Sequence, residues 1–227
     1  SWKPASLAFL TALFSLQTMN VYYARDVLGN ANYLTLLTIL STASIFVIAP
    51  LIPRIVKAFG KKTAFLAFGA VGIVGGLGIS FSPPATPWVS MVFFAVMGVS
   101  TAGVNTLMWA LEADTVEYGE WRTGVRTEGI TYALFSFTRK LGQAVGGAVA
   151  AYVIAFGGYV GGAKVQSGGA VDAIRLAAGI VPAVFILIGI AIFFRYPLTE
   201  QTFARMVAET AERRAARVAD TAGTTTG

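Results

Sequence analysis

Six apolar stretches divide this sequence and constrain its fold more tightly than any other feature: Pro4 to Tyr23, Tyr33 to Pro53, Thr63 to Phe81, Trp88 to Leu111, Thr127 to Phe156 and Asp172 to Phe194. Written as a helix at about 1.5 Å per residue, a stretch of roughly 20 residues crosses a hydrocarbon core about 30 Å thick. In that medium an unpaired backbone N–H or C=O finds no water, so a chain of such stretches folds as a bundle of helices. The charge content agrees. Only 12% of the 227 residues are charged, against about 25% in a soluble domain. The expected fold is an all-α membrane protein: a six-helix transmembrane bundle over residues 1–195, then a cytoplasmic tail over 196–227.

The charges also orient the bundle. Arg54, Lys57, Lys61 and Lys62 share one loop, and Arg122 and Arg126 share the next loop on that side, whereas the loop from Ser82 to Pro87 carries no charge. Cytoplasmic loops are the basic ones, so both termini are expected in the cytoplasm. Arg25, Lys164 and Arg175 fall on the other side, Arg25 offset by its neighbour Asp26. The net charge of +6 does not point to nucleic acid, because the cations sit beside apolar spans. With neither cysteine nor histidine, the chain lacks disulfides, thiol nucleophiles and the usual zinc ligands. No enzymatic constellation remains, and no metal site is expected. The first stretch follows Lys3 like a signal peptide, yet contains Gln17 and Asn20 and lacks a small-residue cleavage pattern, so it reads as a permanent span. In the tail, Phe203, Met206, Val207, Ala211, Ala215 and Val218 recur at helical spacing, which predicts an amphipathic helix before a disordered end.

Within the fifth span stand two cations, Arg139 and Lys140. Lys140 lies about 20 Å along its helix, near the bilayer centre, where an ammonium group costs about 2.5 kcal/mol or more. It is therefore expected to face water, a solute or a counter-charge, together with Ser136 and Gln143 on its own face. Arg139 points about 100° away and reads as a structural or gating residue, since two cations do not share one small site cheaply. Asn105, with Trp109 one turn on, and Gln17 and Asn20 offer amides and an aromatic face suited to a sugar. Amides in membrane helices equally serve as hydrogen-bond glue between helices. Asp114, Glu117, Glu120, Arg122 and Arg126 form an alternating-sign cluster at the cytoplasmic mouth, a composition suited to a gate of ion pairs. The glycines of the third span and the pair Gly146-Gly147 are expected to let helices approach closely.

One string goes further. The sequence D-x-V-E-Y-G-E-W-R-T-G-V-R-x-E-G from Asp114 to Gly129, followed by Lys140-Leu141-Gly142, resembles the glycoside-pentoside-hexuronide:cation symporters, the melibiose-permease-like branch of the major facilitator superfamily. Tyr22-Tyr23 with Val27-Leu28-Gly29-Asn30, and Pro53-Arg54 with Phe59-Gly60-Lys61-Lys62, agree with it in order. Glu117 stands where the family usually has Asp. The resemblance runs to Arg195 and corresponds to the carboxyl-terminal half, helices seven to twelve, of a twelve-helix transporter.

The resemblance implies one half of a sodium- or proton-coupled sugar or glycoside symporter working by alternating access in a bacterial inner membrane. Lys140 would join the sugar and cation sites electrostatically. No cofactor is implied beyond the coupling cation, whose carboxylate ligands in relatives lie mainly in the amino-terminal half. Every carboxylate here, Glu112 included, is expected at a span end or in a loop. The implied partners are the sugar, the bilayer and an amino-terminal six-helix half, from the same gene or a separate chain. The same fold carrying another solute such as a lysolipid, or a truncated fragment acting as an interaction module, are the alternatives.

Overall fold

A computed structural model of the chain describes residues 3–84, 86–123, 128–195 and the single positions 205, 208, 209 and 212. Up to residue 195 the helices are α1 (Lys3–Tyr22), α2 (Tyr33–Ile48), α3 (Ile52–Phe81), α4 (Pro87–Thr123), α5 (Glu128–Phe156), α6 (Gly168–Ala178) and α7 (Ile180–Phe194). No strand occurs among the described residues. Three stretches are apolar and long enough to cross a membrane on composition alone: α3, α4, and α6 with α7 as Gly168–Phe194. The other long helices, α1 and α5, are diluted by polar residues, and these residues build the site.

α1 is the central helix, packed on α5, α7 and α6, and buries Phe9, Leu10, Leu16 and Met19. Both of its threonines give up their protons internally: Thr11 donates to the Leu7 carbonyl and Thr18 to that of Phe14, each at 2.8 Å. A hydroxyl bonded back in this way sits in an apolar bundle without an orphan donor. A π-helical turn, Tyr23–Val27, extends α1, and Gly29 at φ 73° ends it in a left-handed conformation that glycine adopts freely. Around this centre α3 packs on α4 and α7, while α2 packs on α4.

Small residues set the seams. A Cβ at Gly142 would lie 2.8 Å from the Leu10 Cβ, and one at Gly146 would lie 2.5 Å from the Thr11 carbonyl oxygen. A Cβ at Gly76 would meet the Gly179 carbonyl at 2.5 Å, and one at Gly75 the Met97 backbone nitrogen at 3.0 Å. Backbones this close leave no room for side chains, which is how helices associate where lipid removes the hydrophobic drive. Gly147 differs, with only the Thr18 hydroxyl near, at 3.7 Å.

Three expectations are corrected. The charged turn after the fourth span is helix: α4 runs 37 residues to Thr123. The stretch has no proline to stop it, and Thr115 and Thr123 bond back to the carbonyls of Leu111 and Gly119 at 2.8 Å. The basic loop 54–62 is also helical, broken only at Gly60, whose φ of 82° turns the chain between a short segment and the span proper. The sixth span is two helices meeting at Gly179, where Gly76 and Ser80 leave space for no side chain.

Candidate functional site

The two ends of the bundle are tied differently. At one end the Tyr23 hydroxyl bonds to the Ile79 carbonyl at 3.1 Å and to the Ser90 hydroxyl at 3.0 Å, and Arg175 donates to the Ser82 carbonyl at 3.0 Å. Arg25 forms two hydrogen bonds to Asp26 and a third to the Tyr159 hydroxyl. The bonds to Asp26 are the main reason its guanidinium is pushed up from its ordinary value, so it stays charged throughout the working pH range.

At the opposite end Lys61 reaches Asp114 at 2.7 Å, and Lys62 donates to the Phe194 carbonyl at 2.9 Å. Glu112, two residues before Asp114 on α4 and so on a different side of that helix, is 0% exposed, with both carboxylate oxygens unpaired. This corrects the expectation that every carboxylate lies in a loop or at a solvated span end: Glu112 and Asp114 are both buried. The helix that was expected to end at Leu111 carries them into the packed end of the bundle. Lys3 is the cation whose field reaches Glu112.

Between the ends, α1, α2, α4 and α5 enclose an open cavity with about 200 Å³ of water-accessible space. Its polar lining is Gln17 and Asn20 from α1, Ser41 and Thr42 from α2, Thr101 and Asn105 from α4, and Arg139 from α5. A single ordered water needs roughly 10–15 Å³ of such space, so the cavity has room for a solute many waters in size. The carbonyl oxygens of Asn20 and Asn105 are buried there without a donor. The hydroxyls of Ser41 and Thr101 are spent on helix carbonyls, at 2.7 Å on Leu37 and 3.1 Å on Gly98. A small apolar crevice lined by Phe9, Met97 and Met108 adjoins it, sharing Leu13, Leu16, Thr101 and Asn105.

The structure brings Gln17 and Asn20 of α1 together with Asn105 of α4, and adds Arg139 of α5 to them. Arg139 is half-buried and lies 5.8 Å from the centre of the Phe14 ring. A charge near the centre of a bilayer costs about 2.5–3.5 kcal/mol, and a cation–π contact returns about 0.5–2. Lys140 is exposed on the outside of α5, as are Ser136, Phe137 and Gln143, so these four share one outward face and do not line the cavity. Trp109 also lies outside it, half exposed and edge-on to Phe135 with centroids 5.0 Å apart.

The spacing of the buried residues on α5 signals the place of Arg139 in the cavity. Thr131, Phe135, Gly142, Gly146, Ala150 and Ile154 are the buried residues of α5, and Arg139 falls between them at the same spacing of three and four. The stripe of small residues that seats α5 on α1 therefore points at Arg139.

Of the charged cluster, Asp114 is held by Lys61, while Glu117, Glu120 and Arg122 ride on the last turns of α4. Arg126 lies outside the described residues, as does most of the predicted amphipathic tail. The described tail positions include Glu209, which accepts a hydrogen bond from the Trp121 indole at 2.8 Å and pairs with Arg205 at 2.7 Å. No sequence pattern announced that contact.

Residues 5–200 match the family model described as MFS/sugar transport protein. The chain is 38% identical over 210 residues to the glucuronide carrier protein homolog of Escherichia coli, covering 92% of this chain and 46% of that protein. It is 34% identical over 211 residues to a putative sulfoquinovose importer of the same organism, covering 92% and 45%. An uncharacterized symporter of Bacillus subtilis is 33% identical over 213 residues, covering 90% and 46%. The chain thus spans about half the length of the curated relatives it matches. Those relatives are carriers and symporters rather than enzymes, and the chain is a multi-pass membrane protein that belongs to the MFS/sugar transport protein family.

Proposed function

We propose that this chain forms half of the solute path of a cation-coupled symporter for a sugar or glycoside, working by alternating access in a bacterial inner membrane. The observation that carries the reading is the mid-depth cavity where Gln17, Asn20, Asn105 and Arg139 meet from three helices. Sites at the midplane between helix bundles are where alternating access places its solute. The names of the relatives, a glucuronide carrier and a sulfoquinovose importer, favour a sugar over a lysolipid.

The second half of the path is a further six-helix bundle, from the same gene or another chain, seated on the face that exposes Gln17, Thr42, Ser136, Lys140 and Gln143. Polar side chains at this depth are costly against lipid and natural against protein or a water-filled cavity. Lys140 on that face meets the coupling cation's surroundings across the interface, sodium or proton, and links its occupancy to that of the sugar. The carboxylates that hold the cation belong mainly to the second half, and both termini lie in the cytoplasm. Asp114, Glu117, Glu120, Arg122 and Arg126 close the cytoplasmic mouth through ion pairs with that half.

The test is uptake into membrane vesicles from cells producing the whole gene product. An imposed sodium or proton gradient is expected to drive accumulation of a labelled hexose glycoside, and Lys140→Gln to abolish accumulation while leaving downhill exchange. Undiminished gradient-driven accumulation by Lys140→Gln would sink the coupling role.

A further inference from the structure

We infer that the short helical segment at the start of α3 binds an anionic phospholipid, with Arg54 and Lys57 holding its headgroup while Leu51 and Phe59 lie against its acyl chains. The inference stands apart from the solute path and goes beyond it.

The segment is a separate unit because Gly60, at φ 82° and ψ 156°, breaks the helix between Phe59 and the span proper. One side of it is seated: Ile52 is buried, and Ile55 and Val56 pack on the core. The outward side carries Arg54 and Lys57, both exposed and three residues apart, so that they are neighbours on one helix face. Leu51 and Phe59 bracket them at the two ends of the segment, with Phe59 67% exposed.

The charges in this region are unbalanced. No acidic residue stands between Asp26 and Glu112, a stretch that holds Arg54, Lys57, Lys61 and Lys62. Lys61 is spent on Asp114, and Lys62 on the Phe194 carbonyl. Arg54 and Lys57 form no hydrogen bond or ion pair among the described residues. Their counter-charge must come from outside the chain.

The surroundings say which anion fits. Beyond Gly60 every exposed side chain of α3 from Ala67 to Phe81 is apolar: Ala67, Ala70, Val74, Leu77 and Phe81. Such a face suits lipid, so the segment stands where a lipid-facing helix enters the membrane. There a long basic side chain keeps its stem against apolar surface and its head at headgroup level. Water or a soluble phosphate would satisfy the two cations and leave Leu51 and Phe59 uncovered. An amphiphile with a negative head covers both. A zwitterionic headgroup brings a cation of its own next to two already present, so a net negative one is preferred.

The experiment places a single cysteine at Ala58, beside the two cations, in the whole gene product otherwise free of cysteine. It is labelled with bimane in phosphatidylcholine nanodiscs, and quenching by phosphatidylglycerol with brominated acyl chains is compared with quenching by brominated phosphatidylcholine. The wild-type segment is expected to be quenched at a lower fraction of phosphatidylglycerol than of phosphatidylcholine. Arg54→Gln with Lys57→Gln is expected to lower that preference by roughly 10- to 30-fold, as two basic side chains at an anionic surface warrant. The preference is a ratio between two lipids at one position, so a general loss of protein leaves it unmoved. If the double variant is absent from the membrane, each single variant decides, with a loss of about fivefold expected. Equal quenching by the two lipids, or a preference that survives the double substitution, overturns the inference. Quenching by neither lipid would show that protein covers the segment, and relief of the quenching by soluble glycerol phosphate would show that the anion needs no acyl chain; either result overturns it as well.

Discussion

Glu112 is an ionisable side chain sealed into the end of the bundle with neither oxygen paired, two residues before a carboxylate, Asp114, that is held by Lys61 at 2.7 Å. Desolvating a charge or an unpaired polar group costs more than a packed apolar isostere in the same place. Glu112→Met is accordingly expected to leave stability unchanged or to raise it by about 1–2 kcal/mol. The thermal unfolding midpoint in detergent reports this, and a clear fall would reveal that the carboxylate is held by a partner. Asp114 differs, since removing it would leave the partly buried Lys61 ammonium without its carboxylate. Two carboxylates on one helix turn are thus separated by partner rather than by burial. That distinction was invisible in the sequence, where both were expected at a span end or in a loop.

The α1–α5 seam is a contact between elements that leaves room for hydrogen alone. Gly146 presents its hydrogen where any carbon would strike the Thr11 carbonyl at 2.5 Å and the Ser15 nitrogen at 2.9 Å, whereas Gly147 has room. Overpacking a seam costs about 1–3 kcal/mol, and a glycine-to-alanine change in an unobstructed helix gains up to about 1 kcal/mol. Gly146→Ala is expected to lower the unfolding midpoint and Gly147→Ala to hold or raise it. Equal effects would show that the seam is looser than described. This prediction also marks what the sequence could not separate: two adjacent glycines look alike until the helix phase is fixed by its partner. The all-helical membrane class of the chain was legible because the bilayer imposes it on composition. The extension of α4 and the break at Gly60 were not. Charge density suggests a loop, while the extended α4 is tied to α3 by the ion pair of Asp114 with Lys61 and carries no proline after Pro87 to break it. Of the candidate site, the amides were legible as types, but their convergence with Arg139 depends on how four helices are rotated.

For the whole molecule, the faces of the bundle are unlike. α7 presents Val184, Leu187 and Ile188 outward, whereas α5 presents Ser136, Lys140 and Gln143. The first suits lipid and the second suits protein or water. The chain contains no cysteine, so single cysteines report each face separately. Ser136→Cys is expected to react with a water-soluble maleimide in membranes, and sugar to slow that reaction, while Leu187→Cys is expected to stay unreactive. Equal labelling at both positions would contradict the assignment of faces.

The close approach of α1 and α5 has a consequence for the cell as well as for the fold. Because α1 lies at the centre of the bundle and is held to α5 by contacts that tolerate no added atom, a variant at Gly142 or Gly146 fails before transport can be asked of it. Quality control would remove such a chain during membrane insertion, since a loss of about 1–2 kcal/mol already changes abundance several-fold. Inherited changes at this seam would therefore register as missing protein.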